Sequence, residues 1–598
     1  MDEWWPFGGG QTLRVIAQAV DDARVAFNRQ CVHLEAWQIV SYTLSIACLF
    51  IWCRRQLKTD RPLAERIRAT IFSAVRRIPY VKAQIEEEME KARKDLEENL
   101  HQYDRKKEFY KFLPERGVSP EEIIREAELY DGMSEFKFYD GRVSGAVYSA
   151  RNETHRKLLE KHEIIINFLQ IFDRFVYADN LHPDLFPGCR KMEAEIVRIT
   201  ASLLHGGPGS CGTVTYCGTE SIILACLAYR NRAYDRGIYR PEMIVPATAH
   251  TAFDKAARLL QIRIRHIPVH KNQRADVGSM KRAITNETCM IVASAPNFTT
   301  GTVDNVEAIA ELGQRYGIPV HVDACLGGFL LPFMERCDYP VPPFDFRVAG
   351  VTSISCDTHK YGFTPKGTSL ILYRDATLLH KQYFCNSEWP GGIYATPTLM
   401  GTRDGCAIAL TWATLLYYGQ HGYTDCIRSI VEATHKIRAG IEAIPHLTIL
   451  GEPSASIIAF CSRKFSIYGL ADRMNKLGWS LTSLQNPAGV HICVTQNHTK
   501  EGVVEEFLSD LTLTCEELLA NPELSIQSRT AAIYNMASVV PDKCLVEEVS
   551  YMYLDSCYAM PQPLIVGRTL STEGRKISLI GGIPPFSGNA FVSQLKSQ

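Results

Sequence analysis

The chain has almost no net charge: 65 lysines and arginines against 66 aspartates and glutamates in 598 residues leave −1 at neutral pH. A polyanion partner needs a basic face, and the charged tracts here mix both signs, so the composition argues against nucleic acid. C-x-x-C spacing is absent as well. The 19 cysteines are scattered, which disfavours a zinc knuckle or a thioredoxin-type pair and reads as reduced, mostly buried thiols facing the cytosol. No repeat of solenoid period is present. Long apolar runs are lacking too, with one exception, Ala36–Cys53.

That run is uncharged, and as a helix it is about 27 Å long at about 1.5 Å per residue, against a bilayer core of roughly 30 Å. Trp37, Tyr42 and Trp52 are spaced as interface anchors, and Arg54, Arg55, Lys58 and Arg61 follow at once. The positive-inside rule then predicts a single transmembrane helix over 36–53, with residues 1–35 on the luminal side and the rest in the cytosol. Residues 54–118 read as a linker. Its first part, Arg61–Tyr80, is basic and amphipathic and suits an anionic membrane surface. Its second, Lys82–His101, is a charged helix with Glu/Lys pairs at i,i+4.

From about Ser119 helical and strand patterns alternate. Thr251–Leu260 and Val306–Tyr316 read as helices. Met243–Ala247, Ile262–Val269, Met290–Ala295, Ile318–Asp323, Val351–Cys356 and Thr368–Tyr373 read as strands. Strands separated by helical crossovers predict an α/β fold with a mostly parallel, doubly covered sheet. We expect a large domain over 119–424, a smaller α/β domain over 425–558 and a flexible tail over 559–598. In such sheets ligands sit beyond the carboxyl ends of strands, where Asp323 and Lys360 both fall.

Four features converge there. Lys360 follows the strand Val351–Cys356 in a loop that Gly362, Pro365 and Gly367 keep irregular, and a lysine beside His359 and Thr358 suits Schiff-base chemistry. Asp323 closes an apolar strand, where a buried carboxylate needs a partner such as a protonated pyridine nitrogen. Cys211–Ser221 reads as a Gly/Thr loop opening a helix at Gly218 and Thr219, whose N-terminal N–H groups suit a phosphate. His250, just beyond a strand, is placed to stack on a flat ring. Singly, each has an ordinary reading: a solvated lysine, a capping aspartate, an N-cap threonine, a core histidine. Their order on successive strand ends points to pyridoxal 5'-phosphate (PLP), whose ring is an electron sink.

The runs CDTHKYGFTPKG, IPVHVDACLGGFLLPF, GRVSGAVY, LHPDLFPG, RKMEAEIVR and GGIYATPT resemble the sphingosine-1-phosphate lyase family, over roughly Arg54–Tyr558. The resemblance implies a fold-type-I (aspartate-aminotransferase-like) PLP enzyme of the group II decarboxylase branch. It further implies a homodimer with sites between subunits, anchored in the endoplasmic reticulum membrane with its catalytic domain facing the cytosol. The implied reaction cleaves sphingoid-base 1-phosphates into a long-chain aldehyde and phosphoethanolamine. By position, Lys360 is the Schiff-base lysine, Asp323 the partner of the pyridine nitrogen and His250 the stacking residue. Gly218, Thr219 and His359 match the cofactor-phosphate side, and Tyr394 matches a position reaching a phosphate from the neighbouring subunit. Tyr148, His182 and Lys366 match positions near the substrate's phosphate and amino-alcohol.

Two rival readings remain at this level. An amino-acid decarboxylase of the same branch would need a carboxylate clamp and no membrane span. A catalytically weak paralogue would serve as a membrane scaffold or lipid-binding protein. The latter is motivated by a departure from the family's Thr-Ser-Gly-Gly-Thr-Glu-Ser loop, in which Tyr216-Cys217 replace Ser-Gly. A positive φ at Cys217 would cost about 1–2 kcal/mol and crowd the phosphate. Cys356 stands where the family has alanine, and an apolar insertion around Ile164–Ile171 precedes His182.

Overall fold

The computed structural model describes residues 33–57, 63–100, 140–144, 171–183, 185–521 and 543–559, with a few isolated positions before residue 33. Tyr148, residues 164–170 of the apolar insertion and the tail beyond 559 lie outside the described residues. The chain divides into two units, Met1–Pro79 with Glu121–Val546 and Tyr80–Pro120 with Glu547–Gln598.

In the first unit a seven-stranded sheet carries the site. Its strands are β1 (Cys211–Thr215), β2 (Glu242–Pro246), β3 (Arg263–Ile267), β4 (Thr288–Ser294), β5 (Val320–Asp323), β6 (Val351–Cys356) and β7 (Ser369–Tyr373), in the order β1-β7-β6-β5-β4-β2-β3. β2 through β6 pair in parallel, while β7 runs antiparallel to β6 and β1. Parallel pairing demands crossovers, and the helices Ala252–Leu260, Val277–Ala283 and Val306–Tyr316 supply three of them. Alternation along each strand feeds two cores. Ile244, Ile291, Val320, Val322 and Ile354 pack on one face, and Met243, Val245, Met290, Val292 and Ile371 on the other. Because both faces are covered, these strands read as near-continuous apolar runs.

The expected strands and helices of this sheet fall within two residues of those observed. One expectation is corrected: Cys211–Thr215 is not loop but the edge strand β1, with Cys211 opposite Tyr373. Its single glycine disguised a segment whose Thr213, Val214 and Thr215 are β-branched and suit a strand. Beyond β7, β8 (Phe384–Asn386) and β9 (Tyr394–Thr396) form a hairpin. A four-stranded antiparallel sheet follows, made of β10 (Leu447–Leu450), β11 (Ile457–Ser462), β12 (Thr482–Leu484) and β13 (Gly489–Cys493). Between them the helix Gly405–Ala443 kinks at Gly419, where φ is 53°. It runs on through Thr424 and Asp425, where the sequence reading divides the large domain from the small one.

The apolar run near the N-terminus is helical over Ala36–Leu57, and Trp37, Leu44, Ile46 and Phe50 are exposed on it. Among the described residues, however, no helix is long and apolar enough to cross a membrane. Gln38, Ser41, Tyr42, Thr43 and Ser45 dilute the run. The helix Leu63–Arg76 carries exposed Ile67, Ile71 and Val75 among its bases. In the second unit the helix Pro79–Leu100 pairs Lys91 with Glu87 and Glu88, each at 3.0 Å, the helical spacing expected of it. Every described cysteine is a free thiol.

Three histidines of the first unit are buried where only the neutral ring is tolerated: burial brings His321 on β5, His491 on β13 and His498 down to about 4. Burial pushes Asp304 the other way, up to about 6, against the N–H groups of Ser294 and Ala275 that favour its charged form. Near pH 5, unfolding therefore protonates three imidazoles and deprotonates one carboxyl, a net uptake of about two protons. The unfolded state binds more protons, so stability is retained above about pH 6.5 and falls as pH drops toward about 4. Denaturant midpoints across this range should decline with acidification, and an invariant midpoint would refute the assignment.

Candidate active site

Beyond the ends of β4, β5 and β6, facing the start of the helix Gly218–Asp235, lies a cavity of about 290 Å³. It brings together Lys360, His359, Asp323, His250, Gly218 and Thr219, all singled out from the sequence.

Lys360 stands on the loop after β6, and its neighbours fix that loop from two sides. The buried Tyr361 hydroxyl meets Ser456 Oγ and donates to the Val494 carbonyl at 2.7 Å. Tyr423, beyond the kink at Gly419, donates to the Gly362 carbonyl at 2.7 Å. Lys360 Nζ lies 2.9 Å from Asp357 Oδ2, and His359 Nε2 is 3.7 Å from the same oxygen. Asp357 is buried, and Ser369 Oγ donates to its Oδ1 at 2.6 Å. Burial alone would raise this carboxyl, but the charges of Lys360 and His359 and the hydrogen bonds outweigh it and hold it below its usual value. Asp357 is the functional residue the sequence pattern does not single out. The one signal available was its place three residues before the lysine.

Asp323 ends β5, and its Oδ1 accepts from the Cys325 N–H at 3.1 Å and from Ser355 Oγ at 3.2 Å. His250 follows β2 and is exposed at the cavity. The Ala252 N–H donates to its Nδ1 at 3.0 Å, which leaves the ring proton on Nε2.

The helix Gly218–Asp235 starts with no side-chain cap from Cys217. Its first-turn N–H groups and dipole suit a phosphate. Cys217 has φ −159°, an extended conformation open to any residue, so the strain expected at Tyr216-Cys217 is absent. Glu220 holds the loop, accepting from the Tyr216 N–H at 2.7 Å and the Leu399 N–H at 3.2 Å. At Gly218 a Cβ would come within 2.7 Å of Cys325 Sγ and 2.8 Å of Asp357 Oδ1, so a side chain there would displace the wall of the cavity. Cys356 faces the opposite core.

The other sequence-selected residues lie elsewhere. His182 sits in an exposed turn. Tyr394, on β9, packs edge-on against Trp389 at 6.1 Å. Lys366 is exposed by surface area, yet the atoms crowding it and then the Lys360 charge depress its proton affinity.

The cavity fits PLP on two further observations. Ser294 Oγ and His359 Nδ1 are buried polar atoms of its wall without hydrogen-bond partners among the described residues, a costly state unless a ligand satisfies them. Gly218, lacking a Cβ, also lets the start of its helix close on Cys325 and Asp357 at the cavity wall. Such a cavity, set at the strand ends of a mainly parallel sheet, defines a PLP-dependent enzyme of decarboxylase-like fold.

Residues 183–463 match the family model described as the pyridoxal-dependent decarboxylase conserved domain. A Lactobacillus brevis glutamate decarboxylase shares the fold, with a TM-score of 0.59 at 20% identity over 69% of this chain and 96% of that one. Within the class, sphingosine-1-phosphate lyase 1 of Rattus norvegicus is 40% identical over 548 residues, 92% of this chain and 94% of its own. The sphingosine-1-phosphate lyase of Drosophila melanogaster is 39% identical over 93% of this chain and 99% of its own. A solved sphingosine-1-phosphate lyase from Burkholderia pseudomallei superposes with a TM-score of 0.65 at 39% identity, over 70% of this chain and 94% of that one. The chain belongs to the sphingosine-1-phosphate lyase family, and its cofactor is PLP.

Gly218→Ala should lower PLP affinity at least about tenfold and lower the melting temperature as well, because the added carbon displaces both Asp357 and the core thiol of Cys325. Fluorescence titration of the cofactor-free protein measures it, and unchanged affinity would discard the close-approach argument.

Proposed function

We infer that this chain is a carbon–carbon lyase that cleaves sphingosine 1-phosphate and related sphingoid-base phosphates into a long-chain aldehyde and phosphoethanolamine. The observation that carries this reading is Lys360 and Asp323 sharing one cavity in a chain that matches the lyases over nearly its whole length.

Bound PLP supplies an electron sink conjugated to the substrate's amine-bearing carbon. Lys360 would hold the cofactor through its side-chain amine. Asp357, 2.9 Å from Lys360 Nζ and held ionised by its neighbours, would fix the direction of that amine. Asp323 balances a protonated pyridine nitrogen, and His250 offers a ring face for stacking. His359 Nδ1, Ser294 Oγ and the start of the helix at Gly218 and Thr219 take the cofactor's polar groups. In the substrate the C3 hydroxyl loses its proton, the C2–C3 bond breaks, C3 becomes the aldehyde carbon, and C2 is protonated before phosphoethanolamine leaves.

Lys366 and His182, joined by Tyr148, bind the substrate's phosphate and amino-alcohol. In a homodimer Tyr394 completes the partner's phosphate site. The exposed Phe384, Trp389 and Ile393 on the same hairpin support burial of that face against a second copy. Attachment to the endoplasmic reticulum membrane through the helix Ala36–Leu57, with the catalytic domain facing the cytosol, belongs to the same reading. Its exposed Trp37, Leu44, Ile46 and Phe50 support this. Anchoring at the bilayer would concentrate a long-chain substrate.

Two experiments test the reading. Protein lacking its first ~60 residues should show the absorbance of lysine-bound PLP and release long-chain aldehyde from sphingosine 1-phosphate. Lys360→Ala should lose both, and absorbance without aldehyde release would leave a PLP enzyme of another specificity. In cells Asn152, Asn286, Asn297 and Asn497, each in an N-x-S/T sequon, should carry no glycan. A glycan on any of them would reverse the orientation.

A further inference from the structure

We propose that Tyr229, Ser353, His321 and Ser355 form a one-way hydrogen-bond relay that positions Asp323 and sets how firmly it holds the cofactor's pyridine nitrogen. This rests on the reading that Asp323 is that nitrogen's partner.

The direction of the relay follows from donor chemistry. Asp323 Oδ1 lies 3.2 Å from Ser355 Oγ, and since a carboxylate only accepts, Ser355 donates. With its proton so placed, Ser355 accepts at 3.3 Å from His321 Nε2–H. His321 Nδ1 is then the acceptor for Ser353 Oγ at 2.7 Å. Ser353 in turn accepts from the Tyr229 phenol at 2.5 Å. Thr352, whose hydroxyl donates to the Val320 carbonyl at 2.8 Å, can likewise only accept from that phenol, at 2.7 Å, so the one phenol proton is shared between Thr352 and Ser353. From Ser353 onward every proton points toward Asp323.

The relay is sealed from water: Tyr229, Ser353, His321 and Ser355 are each 0% exposed. Burial keeps the Tyr229 phenol protonated well above its usual range and holds His321 near 4, so the ring is neutral and a single tautomer satisfies both of its neighbours. Strand register builds the ladder. His321 stands opposite Ser353 and Asp323 opposite Ser355, so two adjacent cross-strand pairs place all four side chains on one face. Apolar residues would fill this face at lower desolvation cost, as Val320, Val322 and Ile354 fill the other. A fully satisfied polar network in the middle of a sheet is therefore selected for what it touches, which is Asp323. Tyr229 lies on the helix whose first turn faces the cofactor phosphate, so one helix serves both ends of the cofactor.

The test uses the full chain, stripped of cofactor, and measures equilibrium affinity for two ligands: PLP and its 1-deaza analogue, in which CH replaces the ring nitrogen. His321→Leu should weaken PLP binding about tenfold, the equivalent of one buried hydrogen bond, and leave the analogue within about twofold. Tyr229→Phe and Ser353→Ala should act in the same direction by a few-fold, and they carry the test should the histidine variant not fold. Equal losses for both ligands would reduce the network to fold maintenance and overturn the proposal, as would unchanged PLP affinity in all three variants. Wild-type protein binding both ligands equally would instead overturn the pairing of Asp323 with the ring nitrogen.

Discussion

Asp357 is buried between Lys360, His359 and Ser369, and the geometry of the site follows from how that one charge is compensated. An isolated buried carboxylate is costly enough to drive its own protonation, and removing one partner of such a pair typically costs about 3–5 kcal/mol. The lysine is thus fixed by the carboxylate and the carboxylate by the lysine. Gly218 is fixed by both, since its missing Cβ is the room that Asp357 occupies. The start of the helix Gly218–Asp235 is drawn against the lysine loop by this contact rather than by a capping side chain.

The loop that carries Lys360 would be a weak support on its own. Thr358, Thr364, Thr368 and Thr411 share hydroxyl contacts of 2.7–3.0 Å beneath it. Tyr361 ties it to Val494 beside the small sheet, and Tyr423 ties Gly362 to the long helix. The kink at Gly419 lies between Tyr418 and Tyr423, whose rings pack together at 5.0 Å and both reach Phe363, at 5.3 and 5.9 Å. Preorganisation of the lysine is therefore distributed across both sheets and the helix between them.

The parts of this fold legible in sequence were those with strong periodicity. Val306–Tyr316 and Val351–Cys356 have the bounds their patterns predict, because each is bracketed by turn residues and buried on one or both sides. β1 was not legible, since a five-residue edge strand with a glycine looks like any Gly/Thr loop. Lys360, Asp323 and His250 were found because strand ends are where an open α/β sheet puts its ligands. Asp357 was missed because nothing local distinguishes a buried aspartate from a solvated one. Only the fold shows that the residue after β6 turns inward. The backbone strain expected at Cys217 was misjudged for a related reason: its φ was inferred from a glycine at that position in relatives, whereas the chain there is extended.

The helix Gly218–Asp235 ties these strands of argument together. Its N-terminal turn faces the cavity, Glu220 pins the approach to that turn, Ser221 shares hydroxyl contacts with Thr215 and Ser369, and Tyr229 heads the relay toward Asp323. Ser369 in turn donates to Asp357. A displacement of this one helix would disturb the cavity wall at Gly218 and Thr219, the partner of Lys360 and the support of Asp323 together. That coupling gives a physical reason for its near-complete burial: Ile222, Leu224, Ala225, Cys226 and Ala228 are each 1% exposed or less. Solvent reaches it mainly at its C-terminal end, where Tyr234 and Asp235 are exposed.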